Sequence, residues 1–196
     1  MKNKIAVINL INTERTLLAK ALSCASGYQF IQNRNIYEWQ KLFQIDENQI
    51  YCFNNQFLLL SSSFIKRTKS EFKYPAFVSN GAVFSEVLFL KSNINEKFSE
   101  LYKPEEIEMI EILLDLTGRY AARHYDMVIH VRNADSGNFD ELSIEFYEKY
   151  RIAYRLYDNG DIKDIIENII SEVEIPKALP VDSAIYDATL LVTFKN

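Results

Sequence analysis

Arg15 and Thr16 are the first residues in the chain whose side chains could bind a charged ligand. They follow an apolar run, residues 5–8, and precede apolar residues at helical spacing, so we expect a buried strand, a turn and a helix. Asn12 and Thr13 can cap that helix through their side-chain oxygens. Because the free N–H groups of a helix N-terminus favour anions, these four residues form a candidate anion-binding site. The alternative is an ordinary strand–turn–helix unit with Arg15 and Thr16 at the surface.

Arginines elsewhere in the chain are further candidates for binding an anion. Arg119 and Arg123 lie one helical turn apart and could reach the same ligand. The alternative for this pair is an exposed helix face on which both arginines pair with Glu residues. Arg34 and Arg67 could each bind a phosphate, and no feature of the sequence favours either of them.

Histidine and cysteine are too few to suggest a metal centre. The chain has two histidines and two cysteines, and Cys24 and Cys52 lack the spacing of metal ligands, so we expect both to be reduced. His130 falls inside an apolar segment, which favours a hydrogen-bonded core histidine over a ligand. A zinc site is therefore not expected.

Composition limits the class of protein. The chain has 196 residues, 48% of them hydrophobic, which suits one globular domain with a substantial core. Its formal net charge is −5, and no basic stripe is present, so we expect neither a nucleic-acid binder nor a membrane binder. Lys2 and Lys4 precede only a short apolar run without a cleavage site, so we expect no signal peptide and a cytoplasmic location.

Short apolar segments alternate with amphipathic stretches along the chain. This alternation predicts the α/β class: a three-layer α/β/α sandwich around a five-stranded, mainly parallel sheet. The loops that follow the strands then lie on one edge, where ligands of such sheets bind. The predicted strands are residues 5–8, 28–31, 76–79, 127–131 and 153–157, and the longest predicted helices are residues 49–73 and 104–124.

The last segment of the chain is less regular than the rest. Pro176 and Pro180 interrupt it, so we divide the chain into a main domain, residues 1–175, and a tail, residues 176–196. Ala188 to Phe194 are interpreted as an extra strand, or as an arm used in assembly as a homo-oligomer.

The order of these segments resembles that of P-loop NTPases, in particular the nucleoside and nucleotide kinases. Three stretches carry the resemblance: TLLAKAL after the first turn, YDMVIHV before a polar loop, and YRLYDNGDIKDIIENII near the end. It covers about residues 4–173 and is closest to the AAA-like group that includes nicotinamide-riboside kinases. The resemblance implies ATP and Mg²⁺ as cofactors and a nucleotide or small phosphorylated compound as ligand.

The opening turn departs from the phosphate-binding pattern of these kinases, G-x-x-x-x-G-K-[ST]. Aligned on the strand, Asn9 and Glu14 take the two glycine positions, Arg15 the lysine position and Thr16 the hydroxyl position. Glycine supplies backbone conformations at these places that other residues adopt rarely. The resemblance therefore implies a degenerate Walker A motif, in which Arg15 and Thr16 bind phosphate and Thr16 holds the metal.

Three further positions of the kinase pattern are altered. The acid that usually follows the second strand is missing from QFIQNRN, and the nearest one, Glu38, comes later beside Trp39, a pair whose alternative role is helix packing. Asn80 stands where an acid usually ends the third strand. The lid of these kinases normally supplies arginines, whereas here Arg132 precedes the lid-like loop and the loop itself is acidic. By resemblance, Arg15, Glu38 and Arg132 are the candidate catalytic residues.

These departures favour a kinase-like pseudoenzyme that acts by binding a ligand, a protein partner or a second copy of itself. Phosphoryl transfer depends on positioning and on charge stabilisation by magnesium, lysine and arginine. One well-placed electrostatic partner is worth about 3–4 kcal/mol of the barrier. The alternative is an active ATP-dependent nucleoside or nucleotide kinase whose phosphate site is built on Arg15 and Thr16.

Overall fold

A single parallel sheet forms the centre of the protein. The computed structural model describes residues 2–8, 12–32, 41–46, 49, 52–95, 99–133 and 138–193, without the side chains of residues 12–14, 99 and 191–193. Within these residues the strand order is β2-β3-β1-β4-β5, and every neighbouring pair is parallel. The strands are β1 (Lys4–Ile8), β2 (Gln29–Ile31), β3 (Phe77–Asn80), β4 (Met127–Arg132) and β5 (Tyr154–Asp158).

Helices cover both faces of this sheet. The α-helices whose bounds are described are α1 (Asn12–Ser26), α2 (Phe53–Glu71), α3 (Ser85–Asn93), α4 (Pro104–His124), α5 (Phe139–Tyr150), α6 (Ile162–Glu172) and α7 (Val181–Thr193). Buried residues of α1, α6 and α7 share one apolar core, and those of α2 to α5 share another on the opposite face. This arrangement confirms the predicted three-layer α/β/α fold and its five-stranded sheet.

The alternation of side chains along β1 explains why this strand is apolar throughout. Ala6 and Ile8 belong to the core beneath α2 to α5, whereas Ile5 and Val7 belong to the core beneath α1, α6 and α7. All four residues are at most 1% exposed. A central strand with helices on both faces has no polar side to present, which is why its sequence lacks the period-two pattern of a half-exposed strand.

Local signals in the sequence set several helix ends. Gly27 follows α1 with a φ of 73°, a left-handed conformation that glycine adopts without strain. Pro104 begins α4, and the Glu106 carboxylate accepts a hydrogen bond of 2.9 Å from the Lys103 N–H. The Asp161 carboxylate accepts from the Lys163 N–H at 2.8 Å and so caps α6.

The carboxyl-terminal segment differs from the strand that we predicted. Residues 188–193 belong to α7, so the interpretation of Ala188 to Phe194 as an extra strand is wrong for the residues that the structure describes. Val181, Ala184 and Ala188 recur at helical spacing and are buried in the core that contains α1. Backbone bonds from the N–H groups of residues 178 and 179 to the Ala25 carbonyl lead the chain back to α1. Packing on α1 therefore decides the helical conformation.

In the part of the chain that the structure describes, no helix is both long and apolar enough to cross a membrane.

Candidate functional site

The carboxyl ends of β1 and β3 meet at one point of the sheet. The two strands are paired with Val7 opposite Asn80. From here the chain leaves β1 towards α1 on one face and leaves β3 towards α3 on the other. Such a divergence opens a crevice between the strands, and ligands of parallel α/β sheets bind in crevices of this kind. Arg15, Thr16 and Asn80 are therefore placed where the fold favours a ligand.

Arg15 lies partly buried in the first turns of α1. Burial lowers the pKa of its guanidinium to about 10, while the nearby Glu86 carboxylate opposes that shift and Arg67 adds to it. At neutral pH Arg15 thus remains a cation. The influence of Glu86 and Arg67 also shows that three charges, two positive and one negative, lie close enough to interact.

Thr16 contacts Asn80 directly across the crevice. The Asn80 Nδ2 group donates a hydrogen bond of 2.9 Å to Thr16 Oγ1. Asn80 is almost fully buried, so this bond is shielded from water. An amide carries no net charge, whereas a carboxylate at the same place would accept from the hydroxyl and help to hold a cation. The end of β3 therefore supplies a hydrogen-bond donor here and no negative charge.

Arg67 is the most buried arginine of the site. It comes from α2, its side chain is 1% exposed, and its Nη2 donates to Glu86 Oε1 at 3.1 Å. Its Nε and Nη1 have no hydrogen-bond partner in the structure as described. These two nitrogens carry three of the five N–H donors of a guanidinium. Most of the hydrogen-bonding capacity of a buried cation is therefore unused.

Gly81 gives Arg67 its place at the end of β3. A Cβ atom on Gly81 would lie 3.1 Å from Arg67 Nη2 and 3.4 Å from Nη1, so the guanidinium rests against the backbone just after the strand. The φ of Gly81 is 115°, a conformation that residues with a side chain rarely adopt. Both the turn and the close approach of Arg67 thus require glycine.

A second buried network supports α2 and the turn after β3. Glu71 is fully buried one helical turn beyond Arg67, and its carboxylate accepts from the Tyr125 hydroxyl at 2.8 Å. The same Tyr125 oxygen accepts from the Val83 N–H at 3.0 Å. Burial, reinforced by Glu71, raises the pKa of Tyr125 well above its ordinary value. His124 Nε2 lies 3.2 Å from the other side of the same carboxylate. This network fixes the segment that carries Gly81 and Glu86.

The remaining predicted residues are distributed over other places. Arg132 ends β4 at the same edge of the sheet, where its Nη2 pairs with Asp158 Oδ1 of β5 at 2.6 Å. Glu38 lies outside the described residues, and so do the side chains of Asn12 and Thr13, the first two residues of α1. Their proposed roles remain predictions.

Two of the other candidates have structural roles. The Arg119 side chain is 70% exposed and pairs with Asp115 at 2.8 Å, which confirms the interpretation of an exposed helix face for this arginine. His130 is fully buried, with Nδ1 2.8 Å from the Tyr147 hydroxyl and Nε2 2.8 Å from Asp140 Oδ1. The expectation of a hydrogen-bonded core histidine is confirmed.

The outer surface of α2 and α4 carries an apolar patch. Its members are exposed hydrophobic residues at helical spacing: Leu58, Ile65 and Phe72 on α2, and Met109, Ile112 and Leu116 on α4. Between the two helices lies an apolar cavity of about 210 Å³, which Ile65, Leu116 and Glu86 help to line. The patch therefore continues inward to the carboxylate that pairs with Arg67.

Sequence reasoning did not identify Arg67 and Glu86 as partners. One signal was available, because five of the six buried residues of α2 recur every three or four positions: Gln56, Leu60, Ser63, Arg67 and Glu71. Two charged residues on the buried stripe of a helix need partners inside the protein. The partner itself, Glu86, lies 19 residues further along the chain, and no local pattern connects it to α2.

Comparison with known proteins identifies the fold and nothing finer. No protein-family model matches the chain, and no curated protein sequence matches it. Among solved structures, the deoxyadenosine kinase from M. mycoides with bound dATP is similar, with a TM-score of 0.65 and 15% sequence identity, over 87% of this chain and 99% of that chain. At this level of identity the likeness concerns the fold alone. The chain therefore has the α/β fold of a P-loop nucleoside kinase.

Proposed function

We propose that this protein binds a nucleotide or another small phosphorylated ligand at the carboxyl edge of its sheet and has lost most phosphoryl transfer. The observation that carries the proposal is the hydrogen bond from the Asn80 amide to the Thr16 hydroxyl. This bond engages the Thr16 hydroxyl, which the kinase resemblance assigns to the metal. Its donor is the Asn80 amide, which brings no negative charge.

The charge of the site supports an anionic ligand. Arg15 and Arg67 both interact with the Glu86 carboxylate, and these three groups together carry a net positive charge. The N-terminal end of α1 adds the positive end of a helix dipole. The M. mycoides enzyme of the same fold was solved with bound dATP, which agrees with a nucleotide as the ligand of this chain.

The residues at this edge fit Mg²⁺ poorly. Mg²⁺ prefers carboxylate, phosphate and water oxygens, and Asn80 presents an N–H group to Thr16 instead. Within the described residues no three acids, histidines or cysteines form a group that could hold a metal ion. Losing one well-placed electrostatic partner costs about 3–4 kcal/mol of barrier, or roughly a hundred- to a thousand-fold in rate. Binding without efficient transfer follows from such a site.

Calorimetric titration with ATP and GTP, each with and without Mg²⁺, tests the binding half of the proposal. We expect the wild-type protein to bind a nucleotide, Mg²⁺ to change the affinity little, and Arg15→Ala to weaken binding. Arg119→Ala is the matched control, because it removes an arginine that is exposed and paired elsewhere. Absence of nucleotide binding to the wild type would overturn the proposal.

The alternative is an active nucleoside or nucleotide kinase built on Arg15 and Thr16. Turnover of labelled ATP with a panel of nucleosides and nucleoside monophosphates separates it from the proposal. Little or no product is the expected result. Rapid turnover that Arg15→Ala abolishes would establish the alternative instead.

A second candidate role is association with another copy of this chain through the apolar patch on α2 and α4. The supporting observation is the exposure of Ile65 and Leu116 at 65% and 56%, on either side of one cavity. Exposed apolar patches of this kind mark interaction surfaces. Light scattering on the wild type and on Ile65→Glu tests this association. A wild-type dimer that Ile65→Glu dissociates would support it, and a monomeric wild type would rule it out.

A further inference from the structure

We propose that Arg67 binds the phosphoryl group of the ligand, and that Glu86 occupies the Arg67 guanidinium only until the ligand displaces it. The proposal deepens the function proposed above and rests on it, since it names the residue that recognises the anion. Neither the opening turn nor any part of the kinase pattern contains Arg67, which comes from the middle of the chain.

The unused donors of Arg67 are the first reason. Buried polar groups in folded proteins nearly always have hydrogen-bond partners, and buried charges even more so. Arg67 is 3% exposed, yet its Nε and Nη1 lack acceptors in the described part of the chain. An oxyanion is the acceptor that a guanidinium binds best, because its oxygens match the spacing of the N–H groups.

The position of Glu86 is the second reason. Its side chain is 20% exposed, whereas that of Arg67 is 1% exposed, so the carboxylate lies on the solvent side of the guanidinium. Glu86 contacts Arg67 through one hydrogen bond, from Nη2. It also belongs to the first turn of α3, where the helix dipole stabilises a carboxylate without help from Arg67. The helix dipole therefore still stabilises the Glu86 carboxylate when it moves away from the guanidinium.

The third reason is that Arg67 and Arg15 interact through the same carboxylate. Glu86 and Arg67 both influence the proton equilibrium of Arg15, so a ligand that displaces Glu86 lies near two guanidinium groups. A phosphoryl group with two negative charges suits two cations better than a carboxylate with one charge. This comparison identifies the ligand class as a phosphate ester, a polyphosphate or inorganic phosphate.

Gly81 gives the binding group a fixed geometry. The guanidinium rests on the backbone after β3, with no side chain between them. Glu71, one turn beyond Arg67, is fixed by Tyr125, and Tyr125 also holds the turn that follows Gly81. Arg67 is thereby preorganised, so little conformational freedom is lost when an anion binds.

Titration of three variants with inorganic phosphate and with ATP tests the exchange. Glu86→Gln keeps a hydrogen-bond acceptor for Arg67 but removes the competing charge, so we expect about tenfold tighter phosphate binding although the variant melts at a lower temperature. Arg67→Lys keeps the charge but loses the planar fork, so we expect about tenfold weaker binding. Arg119→Lys, the exposed control, is expected to bind like the wild type.

The outcomes distinguish this inference from the proposed function. If Arg67→Lys bound ATP and phosphate as tightly as the wild type does, the role of Arg67 would be overturned, while nucleotide binding would stand. Weaker or unchanged phosphate binding in Glu86→Gln would overturn the displacement. If the wild type bound neither ATP nor phosphate, both this inference and the proposed function would fall.

Discussion

Two buried polar clusters lie near the carboxyl edge of the sheet, and they differ in how completely their hydrogen bonds are made. Around His130, the Asp140 carboxylate accepts from Nε2 and the Tyr147 hydroxyl bonds to Nδ1, each at 2.8 Å, so both ring nitrogens have partners. Around Arg67, Nη2 bonds to Glu86, whereas Nε and Nη1 have no partner among the residues described. The histidine at the centre of the first cluster is therefore fully bonded, whereas the arginine at the centre of the second is not.

This difference separates a structural role from a binding role. A satisfied network stabilises the fold and has nothing left to offer a ligand. A buried cation with open donors reduces stability unless something else binds there, and proteins retain such features mainly at functional sites. By this criterion His130 holds β4 to α5, and Arg67 belongs to the ligand site.

The largest expected effect comes from removing the histidine at the centre of the His130 cluster. His130→Ala removes a fully buried ring and leaves the Tyr147 hydroxyl and the Asp140 carboxylate without it. We expect a loss of about 3–5 kcal/mol in the free energy of unfolding. Urea denaturation measures it, and phosphate should not restore the loss. A loss below about 1 kcal/mol would show that this cluster is not structural.

The next effect concerns the network that supports the binding cluster. Tyr125→Phe leaves the Val83 N–H and the buried Glu71 carboxylate without the hydroxyl that joins them, so we expect a loss of about 1–3 kcal/mol. Tyr28→Phe is the matched control, because its hydroxyl bonds to Asn3 at the surface. Thermal unfolding of both variants tests the difference, and equal losses would argue against a supporting role for Tyr125.

High pH should weaken the His130 cluster through Tyr147, and the network that supports the Arg67 cluster through Tyr125. Burial raises the pKa of Tyr147 and of Tyr125 above the ordinary value of 10.0, so above that pH the unfolded chain releases phenolic protons that the folded protein keeps. The free energy of unfolding therefore falls as the pH rises through 10, by about 1.4 kcal/mol per pH unit for each such tyrosine.

The titration of Arg15 raises the free energy of unfolding with pH over part of this range. Burial lowers its pKa to about 10 in the folded protein, so between that pH and the ordinary pKa of arginine the unfolded chain holds the extra proton. One arginine offsets one tyrosine, and the net effect is still a loss of stability. Urea denaturation at about pH 9 and about pH 11 measures it, and constant or rising stability would contradict the assignment.

The smallest expected effect on stability comes from replacing the Arg67–Glu86 ion pair. Replacing a buried ion pair by apolar residues of similar volume is often neutral or stabilising. The double variant Arg67→Met with Glu86→Leu should therefore stay within about 1 kcal/mol of the wild type without ligand, and should lose stabilisation by phosphate. Thermal unfolding with and without phosphate measures both quantities. A large loss of stability in the absence of ligand would show that the pair is structural.

The fold could be predicted because its signals are local. The apolar run of β1, the proline and acids that begin α4, and Asp161 before α6 each determine an element within a few residues. The carboxyl-terminal helix was missed because its β-branched and apolar residues also suit a strand. Its helical state depends on packing against α1, a contact between the two ends of the chain.

The candidate site could be predicted only in part, for a related reason. Arg15, Thr16 and Asn80 were identified because the kinase pattern could be aligned on the first and third strands. The bond between Thr16 and Asn80 joins the helix that follows the first strand to the end of the third strand. Arg67 sits in the middle of a long helix, and its importance depends on Gly81 and Glu86. Such a cluster is a tertiary feature, which helical periodicity alone does not reveal.

A crystal structure of the protein with ATP would show directly whether Arg67 binds the phosphate. We expect a phosphate group within hydrogen-bond distance of Arg67 Nε or Nη1, near Arg15, with Glu86 moved away from Arg67 Nη2. Nucleotide bound elsewhere, with the hydrogen bond between Arg67 and Glu86 intact, would contradict it.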